Sequence, residues 1–278
     1  MTYETSEGQV VPEAARTAPL GHRPRRNKVP EPTLRFWIIK ILCTTVGGTA
    51  ADLLGEKAGL GLTGVSVLMS ALLAVVLVGQ FRTSAYRAGV YWPAVTLISV
   101  VGTLISDNLT DDMGVPPETT TAVLAIVLAV VFVVWYRRER TLAIQHIDTA
   151  GRESFYWLAV LVAFALGTAA GDLVSARLDL GYWLSAVLFA AVIAAVAIAH
   201  FALDLDAVWS FWIAYLLTRP LGASISDYLS LPAGDGGLGL GTVVTSALFL
   251  AVVLALVVHP STTRRDSPEP ERAQIPGR

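Results

Sequence analysis

Charge is scarce in this chain, and so are the side chains on which most catalysis relies. Only 15% of the 278 residues are Asp, Glu, Lys or Arg, well below the ~25% of an ordinary soluble domain. There is a single cysteine, Cys43, so no disulfide framework can form within the chain. Of the four histidines, His22 lies in a polar terminal stretch, and His146, His200 and His259 stand at ends of apolar segments. No His-Glu-x-x-His pair, Gly-x-Ser-x-Gly elbow or Gly-x4-Gly-Lys phosphate loop occurs. These absences exclude the familiar zinc-hydrolase, serine-hydrolase and nucleotide-binding constellations. They leave the chain read as a protein that is not an enzyme and carries no cofactor. A net charge of -2 offers no basic surface, so no nucleic-acid partner is expected.

What is abundant is apolar length. Hydrophobic residues make up 54% of the chain, and the mean hydropathy is +0.60, which reads as an all-α integral membrane protein with the lipid bilayer as its first partner. A helix crosses the hydrocarbon in about 20 mostly apolar residues. Eight segments meet that need: roughly 34 to 54, 61 to 80, 91 to 111, 119 to 136, 154 to 175, 182 to 200, 208 to 230 and 240 to 259. The expected organisation is a disordered polar tail over 1–33, four helices over 34–136, a linker over 137–153, four helices over 154–259 and a second disordered tail over 260–278. The polar start has no apolar core of a signal peptide. Arg25-Arg26 ahead of an apolar segment has the look of an export signal, but seven further spans argue for a multi-pass protein.

The helices fall into four copies of one figure. An aromatic pair, Phe36-Trp37, Tyr91-Trp92, Tyr156-Trp157 or Phe211-Trp212, is followed 10 residues after the Trp by Gly47, Gly102, Gly167 or Gly222. Fifteen residues after the Trp comes Asp52, Asp107, Asp172 or Asp227. Successive aspartates are 55, 65 and 55 residues apart, and both Asp52 to Asp172 and Asp107 to Asp227 span 120. Such self-similarity marks duplicated structural units, here by two rounds of duplication. Each unit is a helical hairpin, so the fold class is eight transmembrane helices as four tandem hairpin repeats. All four share one orientation, related by axes along the membrane normal.

Lys and Arg are distributed one-sidedly. Six precede residue 36, two lie in the link 81 to 90, four in the link 137 to 153 and four after Pro260, whereas the opposite loops carry only Lys57 and Arg177. Cytoplasmic segments retain positive charge, so both termini are expected in the cytoplasm, with each Trp at the cytoplasmic end of an outgoing helix. The link 201 to 207, with Asp204 and Asp206 and no basic residue, departs locally from the rule.

The Trp positions suit either headgroup anchoring or packing, and their unbroken 10-residue distance to Gly favours packing. Each Gly is followed four residues later by Ala51, Ser106, Gly171 or Ser226. Small residues four apart share a helix face and let backbones approach in lipid, which predicts an inner ring of odd-numbered helices with the even ones outside.

The aspartates stand about 22 Å beyond their Trp along a helix. A carboxylate at that depth costs free energy unless it faces a bundle interior or water. Asp52, Asp107, Asp172 and Asp227, with Asn108 and Arg219, are therefore the candidate binding residues for a small cation, a proton or a polar solute. The identity of any metal stays open. Arg219, beside Pro220 in the middle of its helix, requires a carboxylate or an anionic substrate, and Asp107 or Asp227 is the expected partner. Pro220 predicts a kink. Lys40 reads as a side chain that snorkels to the cytoplasmic face.

These four [FY]-W-x9-Gly-x3-small-Asp units, over about residues 34 to 259, resemble a bacterial membrane-protein family defined by a tandem two-helix repeat of unknown function with a prominent Trp, often labelled an uncharacterised membrane-anchored protein. The resemblance implies an architecture and a place in the bacterial plasma membrane, and no activity. Two readings stand side by side: a transporter or channel that uses aspartates at the repeat interface, and a membrane scaffold or partner-binding subunit in which they are structural. Homo-oligomerisation stays open.

Overall fold

A computed structural model describes residues 27–57 and 61–263, with side-chain surroundings for all of these except 48–57, Ala176, Asp235 and 258–263. Among the described residues the chain is all-helical. The helices are α1 (Leu34–Lys57), α2 (Gly61–Phe81), α3 (Ala88–Asp107), α4 (Pro117–Glu139), α5 (Ala150–Leu178), α6 (Gly181–Ala202), α7 (Ala207–Ser230) and α8 (Thr242–Thr263). Local chemistry sets their ends. The Thr149 hydroxyl accepts from Arg152 N at 3.2 Å to start α5, and Asp206 accepts from the amides of Val208 and Trp209 to start α7. Pro117 opens α4, where a missing N–H costs nothing. α3 runs on into a π-helical turn, Asn108–Asp112.

The packing order forms a closed cycle. α1 packs on α3, α3 on α5, α5 on α7, and α7 back on α1, so the four odd helices make a ring. Each even helix lies chiefly on the odd helix of the following repeat: α2 on α3, α4 on α5, α6 on α7, and α8 on α1. The sequence repeat is thus a hairpin, while the packing unit joins the end of one repeat to the start of the next.

Polarity is inverted relative to a soluble protein. Large apolar side chains such as Val75, Ile126, Val130, Ile198, Val244 and Leu248 are exposed on the even helices, while Lys40, Gln80, Glu153 and Arg219 are buried. Among the described residues, five helical stretches are long and apolar enough to cross a membrane: Gly61–Phe81, Ala88–Asp112, Pro117–Glu139, Ala150–Ser175 and Gly181–Ala202. Thr242–Val257 is apolar but shorter.

Two expected tails begin or end elsewhere. Residues 1–26 and 264–278 lie outside the described residues, but Lys28 and Val29 are buried. Lys28 N donates to Ile147 O at 3.0 Å, and Tyr86 N to Asn27 O at 3.1 Å. The segment is held because the Lys28 ammonium reaches Glu153 (2.6 Å) and Phe81 O (3.1 Å), giving a basic residue a buried acid to pair with. At the other end, α8 continues past Pro260 to Thr263.

Candidate functional site

The register of the ring is readable from the Trp of each repeat. At the Trp end of the bundle, the aromatic residue before each Trp packs on the Trp of the next repeat. Ring centroids are 5.7 Å apart for Phe36 and Trp92, 5.4 Å for Tyr91 and Trp157, 6.2 Å for Tyr156 and Trp212, and 5.5 Å for Phe211 and Trp37. The cycle closes, and Trp92, Trp157 and Trp212 are each buried. Aromatic pairs at such spacing add to burial about 0.5–1.5 kcal/mol each. Inside this collar the hydroxyls of Tyr91 and Tyr156 share a hydrogen bond of 2.6 Å. Trp92 Nε1 donates to the hydroxyl of Tyr86 at 3.0 Å, and burial of that phenol, which lies in the link between α2 and α3, pushes its pKa up.

One level higher the glycines repeat the same rule. The residue seven positions after each Trp, namely Thr44, Ser99, Phe164 or Arg219, enters the space at the Gly of the preceding repeat. A Cβ on Gly47 would stand 2.5 Å from Ser99 Cβ, on Gly102 2.7 Å from Phe164 Cβ, and on Gly167 2.9 Å from Arg219 Cβ. A Cβ on Gly222 would meet Thr44 across the closing seam. Gly171 likewise admits Pro220, whose Cβ would lie 2.8 Å from an added Cβ. Absence of a side chain at these positions lets α1, α3, α5 and α7 approach closely.

Two basic side chains occupy the middle of the ring. Lys40 is fully buried on α1. Its ammonium does not snorkel out: it donates to Tyr215 O on α7 at 2.8 Å and to the hydroxyl of Thr218. It also lies 3.7 Å from the Tyr215 ring centroid and 4.9 Å from that of Phe164. The sequence reading of Lys40 is corrected on this point, because α7 brings acceptors to it that its own helix lacks. Arg219 is 3% exposed. Its Nη2 donates to Thr103 Oγ1 on α3 at 2.6 Å, and α3 and α7 stand opposite each other in the ring. The guanidinium therefore crosses the bundle. Among the described residues its Nε and Nη1 have no hydrogen-bond partner.

Among the described residues the ion pairs are Lys28 with Glu153, Arg152 with Glu139 and Asp148, and Arg177 with Glu118. The expected pairing of Arg219 with Asp107 or Asp227 is thus replaced, among the described residues, by a hydroxyl contact. Asp107 and Asp227 are half-buried at the far ends of α3 and α7, and Asp172 is exposed on α5. The Asp52 side chain lies outside the described residues. Asn108 turns sideways, donating to Ser66 Oγ (2.7 Å) and Leu104 O (2.6 Å), while its Oδ1 accepts from the Thr63 hydroxyl. It ties the end of α3 to α2. Among the described residues no three His, Cys, Asp or Glu side chains come together as a metal centre requires.

Sequence reasoning misplaced Lys40 and gave no role to Thr103, Tyr215 or Thr218. Thr218 and Arg219 are neighbours, and Lys40 and Tyr215 both stand three residues after their Trp. That shared register was the available signal.

The repeat of unknown function DUF347 matches the chain four times, over residues 35–86, 90–141, 155–204 and 210–266. Compared with the curated proteins and with the solved structures, the chain matches none.

Proposed function

The chain belongs to the DUF347 family of tandem repeats, a membership that carries no activity, and we propose from the geometry that it is a transporter or channel that crosses the bacterial plasma membrane eight times. In this reading α1, α3, α5 and α7 surround the path of a small cation or polar solute. Both termini and the Trp ends face the cytoplasm, and the aspartates face outside. The observation that carries the reading is the inversion of polarity. Lys40, Thr103, Thr218 and Arg219 are buried within the ring, while the even helices turn Val, Ile and Leu outward. Charges held inside a membrane bundle are costly, and they mark solute paths and proton relays. No bond-breaking role is assigned to these groups: they bind and orient.

At the mouth, Asp107, Asp172 and Asp227 share one register 15 residues past their Trp, a placement suited to collecting a cation or the cationic end of a solute. Purified protein in liposomes tests this. Replacing Asp107 with Asn is expected to abolish cation-dependent or pH-dependent flux while expression and fold persist. Flux unchanged in all four Asp→Asn variants would make the carboxylates structural.

A second reading, a membrane scaffold, is favoured by one observation: the Trp end is filled by interlocked rings, with Tyr91, Tyr156 and Tyr215 all buried. A scaffold predicts that Asp→Asn variants lose assembly and that no solute moves in the parent.

A further inference from the structure

We propose that the centre of the ring is a binding site for the carboxylate or other small oxyanion group of a solute, held by the guanidinium of Arg219 and aligned by Thr103. The inference rests on the membrane reading for its setting and names the chemical class of the polar solute.

A guanidinium has five N–H donors and stays charged at any pH at which the protein is folded. Thr103 takes one of them. The Nε and Nη1 donors, three N–H bonds in all, have no acceptor among the described residues although Arg219 is 3% exposed. Deprotonation cannot relieve this hole, and a hydroxyl does not neutralise a charge. A carboxylate or oxyanion does both, because its oxygens match the planar fork of an Arg bidentately.

The side chain is also not free to leave. Its stem is seated at Gly167, where an added Cβ would lie 2.9 Å from Arg219 Cβ and 3.1 Å from Cγ. The fork is thereby carried from α7 across to α3 rather than along α7 to water. The equivalent positions in the other repeats hold Thr44, Ser99 and Phe164. Fourfold repetition built the ring, but only α7 places a guanidinium in it, so one anion per chain is the stoichiometry.

Lys40 does not compete for that anion: its hydrogen bonds run to Tyr215 and Thr218, both neutral. The fixed positive charge of the Arg219 guanidinium in a low-dielectric interior attracts an anion. Two further buried hydroxyls without a partner among the described residues, Ser106 on α3 and Ser226 on α7, stand on the same two helices that Arg219 and Thr103 link. Each immediately precedes an aspartate, Asp107 or Asp227. A solute with an acidic end at Arg219 and a cationic end toward that carboxylate level satisfies both halves of the ring.

Full-length protein in detergent, at constant ionic strength, tests the site without reference to flux. Formate and acetate form one arm, phosphate and sulfate the other, with calorimetric titration and thermal unfolding by Trp fluorescence as readouts. Saturable binding of about one anion per chain is expected in at least one arm, and the arm that responds says whether a carboxylate or an inorganic oxyanion is the ligand. Arg219→Gln is expected to weaken it about a hundredfold, and Thr103→Val, which keeps the cation, about tenfold. Should Arg219→Gln fail to fold, Arg219→Lys keeps the charge without the fork and is expected to bind at least tenfold more weakly. No saturable response from the parent in either arm, or undiminished binding by the Arg219 variants, overturns the proposal. Anion binding with no measurable flux removes the transport reading and leaves this site standing; cation flux without anion binding does the reverse.

Discussion

Gly222 on α7 closes the ring against Thr44 on α1: a Cβ added there would stand 3.1 Å from Thr44 Cβ and closer still to its hydroxyl. Three other glycines do the same for the next helix round, and what each added Cβ would meet sets its cost on substitution. At Gly102 the obstacle includes backbone, with Ala165 N at 3.1 Å and Phe164 Cβ at 2.7 Å from the added carbon. Gly102→Ala is therefore expected to lower stability by about 1–3 kcal/mol through overpacking, read as a lower unfolding temperature in detergent. Gly222→Ala should cost less and be partly rescued by Thr44→Ala. Gly79, with nothing within 4 Å, should tolerate Ala at no cost. Equal melting of the Gly102→Ala and Gly79→Ala proteins would contradict the close approach of α3 and α5.

The pair of Lys28 and Glu153 offers a second test. Glu153 is fully buried and receives Lys28 Nζ at 2.6 Å and Gln80 Nε2 at 3.2 Å. Glu153→Ala leaves the ammonium buried without its carboxylate, a loss of about 3–5 kcal/mol. The double change Lys28→Met with Glu153→Leu removes both charges and should regain most of that loss. A double variant as unstable as the single one would show that the carboxylate acts chiefly through Gln80.

The arrangement of the even helices predicts specific cross-links. Val253 on α8 is buried in the main core, and α8 packs chiefly on α1. With Cys43 replaced, a cysteine at Val253 should form disulfides with cysteines scanned along α1 far more readily than with those along α7. Preferential linkage to α7 would mean that each hairpin packs on itself.

Orientation is tested by labelling. Single cysteines in the link 137–153 should resist an impermeant thiol reagent in intact cells, and those in the loop 112–118 should react. The opposite result would invert the cytoplasmic assignment of the Trp end.

Much of the helical plan is legible in the sequence, because repetition reports itself: the Trp, Gly and Asp spacing delimits four units, and eight apolar segments match α1 to α8 within a few residues. Pro220, expected within the last outgoing helix, lies inside α7. The destinations of Lys40 and Arg219 were not legible. Both depend on how far each odd helix is rotated and slid against the next, and an equal period in four helices is silent about that offset. The partner of Arg219 shows this well. Thr103 is eleven residues past its Trp and Arg219 seven past its own, a difference no repeat alignment highlights. For the same reason the pattern cannot reveal that α2 serves α3 rather than α1.

Lys40 also constrains the order of assembly. Its acceptors, Tyr215 and Thr218, come 175 and 178 residues later in the chain, on a helix that the ribosome makes long after α1. In the proposed membrane setting, until α7 arrives α1 carries a lysine for which a bilayer has no acceptor. Residence of α1 at the aqueous edge of the insertion machinery until α7 and α8 are released would reconcile that delay with the final ring. In that case, chains truncated before α7 should leave their first helix open to proteolysis.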